Sequence, residues 1–290
     1  MAFSLKTAVA ALLMTATPLA AQAAPAMWQV SDADSKIWLF GSIHTLPPGI
    51  AWRTPAFDDA LRQAETVYFE ADIGPLGQLG ILIKGIQMGF GAPDPWLAKL
   101  TPEQTAKLTA AITPLGLTTD QLGVQAPWLA EALIEDAVMK QSGFAVTLGV
   151  DPSLQAELPK ERKAYFETAA GQMDMLGKDA PALQITRLMG TVDSIGDLAA
   201  QLKQMTTSWS DGDVDGLAKL LNDDPSMDQA FAQTMLFDRN ANWATQIGQL
   251  LAENHQDLIV VGAGHLAGDH SVLELLRQAG HHPAREVVKN

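Results

Sequence analysis

Apolar residues alternate with polar ones near the start of the chain and recur at helical spacing through its middle. "MWQVSDADSKIWLFGSIH", Met27 to His44, reads as two β-runs joined by the polar turn "SDADS", which is hairpin chemistry. Pro47, Pro48 and Gly49 then break the chain. "TPAFDDALRQAE" predicts a short helix with Thr54 as N-cap and Pro55 at its first position, and "TVYFEADI", Thr66 to Ile73, predicts a strand.

From Gly74 to about Gly143 the pattern turns helical. "LTPEQTAKLTAAI" has the capping-box spacing of Thr101 and Gln104, and "APWLAEALIEDAVMKQSG" sets Leu129, Leu133, Ile134 and Val138 on one face before Gly143. Asp151 and Pro152 open a further helix, and "KAYF" is a short apolar run ahead of Glu167. A long helical region runs from Ala180 to about Glu253, interrupted by "SWSDGDVDG" and "NDDPSMD". "DLIVVGAGH" then reads as a buried strand, "HSVLELLRQAG" as a helix and "HPAREVVKN" as a closing strand. The expected fold is α/β, or α+β: a mixed sheet built from N- and C-terminal strands, flanked by helices, in one domain over residues 24–290 with a helical insertion at about 74–143. No internal repeat of solenoid period is present.

The first residues belong to another pattern. "MAFSLKTAVAALLMTATPLAAQAAPA" has an early lysine, an apolar alanine-rich middle and small residues at Ala21 and Ala23, which reads as a secretory signal over residues 1–23. Its apolar part is too short and too interrupted to span a membrane, so the expected product is exported, periplasmic or secreted, with no stable membrane span. There are no cysteines, so packing or bound metal must hold an exported fold together.

Composition narrows the partners. The 290 residues are 47% hydrophobic and 18% charged, enough to bury a sizeable core, and the formal net charge is −14. Loss of Lys6 with the leader leaves 18 basic against 33 acidic residues, or −15. Nucleic acid and anionic lipid are poor partners for that surface. The pattern leaves the oligomeric state open, since the helical stripes between Gly74 and Gly143 could pack on the core or on a partner.

Chemistry concentrates at two phrases of similar form. "FGSIH" ends the second β-run and "VGAGH" ends the late buried strand, so His44 and His265 each follow a strand by one short turn. Ligand-binding groups collect at the carboxyl ends of strands in open α/β sheets. Gly-x-x-His is a weak motif, and neither histidine sits in H-E-x-x-H; a lone histidine at such a place more often caps a turn. Glu70, on the strand "TVYFEADI", needs a cation, a metal or a proton if buried, and Arg53 or Arg62 could supply the charge. Glu167 has a similar position, or is a helix-start carboxylate favoured by the dipole. Arg239 and Asn240 lie in a helix with apolar Leu236, Trp243 and Ile247; such an arginine usually snorkels, yet it could reach a carboxylate or an oxyanion.

The ordered set "WLFGSIHTLPPG", "VYFEADI", "LGVDPSL", "FETAAGQMDML", "SWSDGD", "LFDRNANWATQI" and "IVVGAGHLAGDHSVLELLRQAGH" resembles the TraB/GumN family, which includes PrgY and the animal Tiki proteins. The resemblance covers about Trp28 to Glu286. It implies a fold related to the erythromycin esterases and ChaN-like proteins. It also implies a metal-dependent hydrolase, since Tiki members are metal-dependent proteases favouring manganese or cobalt. On this resemblance His44, Glu70 and His265 are metal ligands for Mn, Co or Zn, Glu167 is the base, and Arg239 with Asn240 completes the catalytic set. The substrate is then a peptide or a small ester or amide. Two alternatives remain: a metal-independent esterase in which His44 is the base oriented by Glu70, and a non-catalytic module that binds a peptide or haem. The name GumN adds an accessory role in polysaccharide export, for which no residue here speaks.

Overall fold

A computed structural model describes residues 23–89, 95–222 and 229–286. The expected leader through residue 22, the stretch 223–228 within "NDDPSMD", and residues 287–290 of the closing segment lie outside them.

The expected hairpin is β1 (Met27–Ser31) against β2 (Lys36–Ser42), with Val30 opposite Ile37. Its turn is fastened by the Asp32 carboxylate, which accepts from the backbone N–H of Asp34 and Ser35. Helix α1 (Pro55–Gln63) starts where Thr54 Oγ1 accepts from the Phe57 N–H, at 3.1 Å. Strand β3 (Thr66–Phe69) is shorter than the expected run to Ile73. Its pairing with the late strand stops at Phe69, and the Glu70 carboxylate turns aside to take the Gly262 N–H at 2.7 Å. A side-chain bond there replaces the next rung of the ladder.

Between β3 and the next strand the chain is helical: α2 (Pro75–Gly89), α3 (Pro102–Ile112), α4 (Thr119–Gly123), α5 (Pro127–Gln141) and α6 (Val150–Glu157). Thr101 and Gln104 form the reciprocal capping box expected of them. Strand β4 (Lys163–Tyr165) precedes α7 (Ala169–Gly177), α8 (Pro181–Ser210), α9 (Val214–Asn222) and α10 (Gln229–Ala232). A π-helical turn at Gln233–Phe237 leads into α11 (Asp238–Ala252), then β5 (Gln256–Gly262), α12 (Val272–Gln278) and β6 (Ala284–Arg285).

The six strands form one mixed sheet in the order β4-β3-β5-β2-β1-β6. The first four run parallel, and β1 and β6 pair antiparallel at the far edge. Alternation feeds two cores. Trp38, Phe40, Val67, Phe69, Leu258 and Val260 pack with Phe57, Leu154 and Trp209 on one face. Ile37, Leu39, Ile259 and Val261 pack with Trp243, Ile247 and Leu276 on the other. Burial on both faces is why β5 reads as an unbroken Leu-Ile-Val-Val run rather than an alternating one. A third cluster, with Trp96, Leu108, Ile134 and Leu188, holds α3, α5 and α8 together. No helix among the described residues is long and apolar enough to cross a membrane.

Candidate active site

Because β2, β5, β3 and β4 are parallel neighbours, their carboxyl ends share one edge of the sheet. His44 follows β2, His265 follows β5, Glu70 follows β3, and Glu167 follows β4 by one residue. Four adjacent strands thus deliver four titratable side chains to one place, as open parallel sheets do at their binding crevice.

The two motif glycines make that convergence possible. A Cβ at Gly41 would stand 3.0 Å from the Ala263 Cα, so the β2 end and the turn after β5 could not close as they do. A Cβ at Gly262 would lie 3.0 Å from Glu70 Oε1, 3.3 Å from His44 Nε2 and 3.5 Å from His265 Cδ2. Glycine at 262 therefore keeps open the space that these three side chains surround.

Each imidazole is held from behind. His44 Nδ1 lies 2.8 Å from Asp151 Oδ2, and Asp151 is brought there by α6, whose first residue Val150 donates its N–H to the Ile43 carbonyl. His265 Nδ1 lies 2.6 Å from Asn240 Oδ1, and the Asn240 amide donates in turn to the His270 carbonyl. Both rings turn Nε2 toward Glu70 Oε1, at 3.8 Å from His44 and 3.6 Å from His265.

Arg239 joins the carboxylates. Buried at the start of α11, it donates from Nη2 to Glu70 Oε2 at 2.5 Å, from Nε to Glu167 Oε1 at 3.0 Å, and from Nη1 to the Met235 carbonyl at 2.8 Å. The π-helical turn just before α11 supplies that carbonyl; such turns recur at functional sites. Nη1 also stands 3.1 Å from His265 Nε2. An acceptor at Nε2 and an amide oxygen at Nδ1 describe a neutral ring protonated on Nδ1. Trp243 donates to Glu167 Oε1 at 3.1 Å and packs on the His265 ring. Gln172 donates to both Glu70 and Glu167.

The same surroundings set the charges. Asp151 raises His44 to about 9, with Glu70 adding to the rise. Burial pushes His265 down to about 4, and Arg239 adds to this while Glu70 opposes it. Burial works to raise Glu70, but His265, His44 and Arg239 outweigh it and hold the carboxyl at about 2. Near neutrality the centre therefore holds an imidazolium at His44, a carboxylate at Glu70 and a neutral His265.

Every residue singled out from the sequence, His44, Glu70, Glu167, Arg239, Asn240 and His265, lies in this one network. The partners differ from those first considered. Arg53 pairs with Asp58 and Glu157, and Arg62 with Asp59, so Glu70 takes Arg239 instead. Asp151, not Glu70, orients His44. Asp151 appears in the sequence only as part of "GVDPSL", without a role. A carboxylate opening a helix reads as a dipole effect, and its partner is 107 residues away. Gln172 and Trp243 carried no signal beyond ordinary amide and core positions.

A cleft of about 600 Å³ opens on this network, with His44, Glu70 and Asp151 at its floor and Ile73, Ile81 and Val146 among its walls. No solved structure and no curated protein matches the chain, so the expected relation to the erythromycin esterases and ChaN-like proteins is not confirmed. A sequence model described as the TraB/PrgY/gumN family matches residues 26–285, which takes in every strand and every site residue, and the chain belongs to that family.

Proposed function

We propose that this cleft hydrolyses an amide or ester with a divalent cation held by His44, Glu70 and His265. One arrangement carries the reading: two imidazoles, each pinned at Nδ1 by an oxygen, present Nε2 to the same carboxylate oxygen across a space that Gly262 leaves open. Anchored Nδ1 atoms are the usual support of metal-binding histidines. Donors on a tetrahedral ion with bonds of ~2.1 Å stand ~3.4 Å apart, close to the 3.6 and 3.8 Å spacings here. Among the described residues no group of three or more His, Cys, Asp or Glu side chains stands so that it could hold a metal ion as arranged. The obstacle is Arg239 Nη1 on His265 Nε2. Holding a cation would require that contact to be released, and Arg239 has its bonds to Glu70, Glu167 and Met235 besides.

A cation bound there supplies Lewis-acid polarisation of a carbonyl and an acidified water. His44 must first give up its Nε2 proton, which Asp151 helps it hold. Arg239 offers a fixed positive charge to an oxyanion. Glu167 is engaged on both oxygens by Arg239, with Trp243 and Gln172 adding donors, which favours positioning Arg239 over the general-base role expected from the resemblance. Asn240 orients His265. The reading of residues 1–23 as a secretory leader supports a place for this chemistry outside the cytoplasm.

The metal-independent reading is favoured by the Asp151–His44 pair: His44 keeps 58% of its side chain exposed, and once Nε2 has lost its proton Asp151 holds the other on Nδ1, leaving Nε2 as the base. Metal content of untagged protein, with turnover of ester and amide probes before and after chelation, separates the readings. Loss on chelation and recovery with manganese, cobalt or zinc supports the cation. Full turnover of metal-free protein, absent in His44→Ala, supports the pair alone. No His44-dependent turnover of any probe overturns both in favour of a binding module.

A further inference from the structure

We propose that the substrate carries an uncharged aliphatic acyl group next to the scissile bond, and that the cleft beside His44 is its receptor; this rests on the hydrolytic reading above. The cleft changes character over its length. Its floor is the ionic network, whereas Ile73, Pro75, Ile81 and Val146 form apolar wall. Such walls reward burial of methylene groups and give nothing to a charge.

Charge argues in the same direction. Glu70 and Asp151 line the floor, and Glu167 lies behind Arg239. Beyond His44, the cation among the described lining residues is Lys163, whose Nζ gives one of its three N–H donors to the Gln155 carbonyl at 2.8 Å. A carboxylate or phosphate on the substrate tail would give up its hydration against these apolar walls. The apolar character continues outward: α2, which contributes Pro75, Gln78 and Ile81 to the wall, leaves Leu79, Leu82, Ile83 and Ile86 exposed, and Val146 is exposed across from it. An aliphatic chain with its carbonyl at His44 and Glu70 would run along Ile73, Ile81 and Val146. The reaction is ordinary hydrolysis: water adds to the acyl carbon, the bond to the alcohol oxygen or amide nitrogen breaks, and that atom leaves with a proton.

The test is His44-dependent hydrolysis of p-nitrophenyl acetate, butyrate and octanoate, together with an octanoate-length ester ending in a carboxylate. The expected result is a rise in kcat/KM of at least ~10-fold from acetate to octanoate, abolished by the terminal carboxylate. Ile81→Asn and Val146→Asp are expected to lower the octanoate-to-acetate ratio. Equal turnover of all lengths, or equal turnover of the carboxylate-ended ester, overturns the acyl receptor while the hydrolytic reading stands. If neither ester nor amide probes are turned over, the hydrolytic reading falls, and displacement of N-phenyl-1-naphthylamine by methyl octanoate judges the receptor. Displacement weakened by Ile81→Asn upholds it, and no displacement overturns it.

Discussion

The two Gly-x-x-His turns share a local sequence and differ in nearly everything that surrounds their histidines. His44 is half open to the cleft, backed by a carboxylate, and raised to about 9. His265 is buried, backed by an amide, faced by a guanidinium, and lowered to about 4. Strand and glycine place both rings, but the partner at Nδ1 and the depth of burial decide the proton. Symmetry in the sequence therefore yields one charged and one neutral imidazole on either side of Glu70.

The severest way to break this comparison is to remove the cation on the His265 side. Arg239→Met would leave Glu70 and Glu167 buried without their counter-charge, and should cost about 3–5 kcal/mol in denaturant unfolding. Glu70→Gln with Glu167→Gln in that background should recover part of the loss, and additive losses would mean that the three do not form one network.

Exchanging the backing groups is the next test. Asp151→Asn should bring His44 down from about 9 toward or below its ordinary 6.5, and Asn240→Asp should lift His265 from about 4, as followed by NMR titration of the ring protons. Asp151→Asn should also reduce turnover by ~10–100-fold. Unmoved titrations would show that the backing groups do not set the protonation states.

A smaller, graded effect is the dependence of stability on pH without added metal. His265 is lower in the folded chain than its ordinary 6.5, so its contribution is whole above 6.5 and is lost as pH falls toward 4. His44 is higher, so its contribution is whole below 6.5 and is lost as pH rises toward 9. Unfolding free energy should peak near pH 6.5, with the alkaline limb flattened in Asp151→Asn. A peak that ignores this substitution would assign the limb to other groups. The least effect belongs to Arg53→Gln, which loses its ties to exposed Asp58 and Glu157; it should cost under ~1 kcal/mol and leave both ring titrations in place.

What the sequence made legible was local. The hairpin turn at Asp32, the caps at Thr54 and Thr101 and the buried run of β5 each depend on neighbours a few residues away, and the chain adopts them as read. Distant contacts were harder to read. The β3 strand stops short of Ile73 because Glu70 reaches Gly262. Arg239 is buried because two carboxylates from other strands meet it, where a helical arginine with an apolar neighbour usually stays at the surface. Asp151 went without a role because nothing near it hints at His44. The resemblance brought His44, Glu70, Glu167, Arg239, Asn240 and His265 into one set, and the sheet order supplies the physical reason that they meet.

The pairing of β2 with β5 also bears on when the protein acquires its chemistry. The bond from Gly262 to Glu70 spans 192 residues of sequence, and the parallel ladder beside it is equally non-local. Pairings of this kind form late, after the loop between them has been closed at an entropic cost. The early hairpin and the α3–α5–α8 cluster can organise while the chain is still incomplete, but His44 waits for His265. A chain cut short before β5 would keep its helical part and lack the assembled site. Activity should therefore appear in a refolding experiment only with the final sheet closure, after helical signal has already returned.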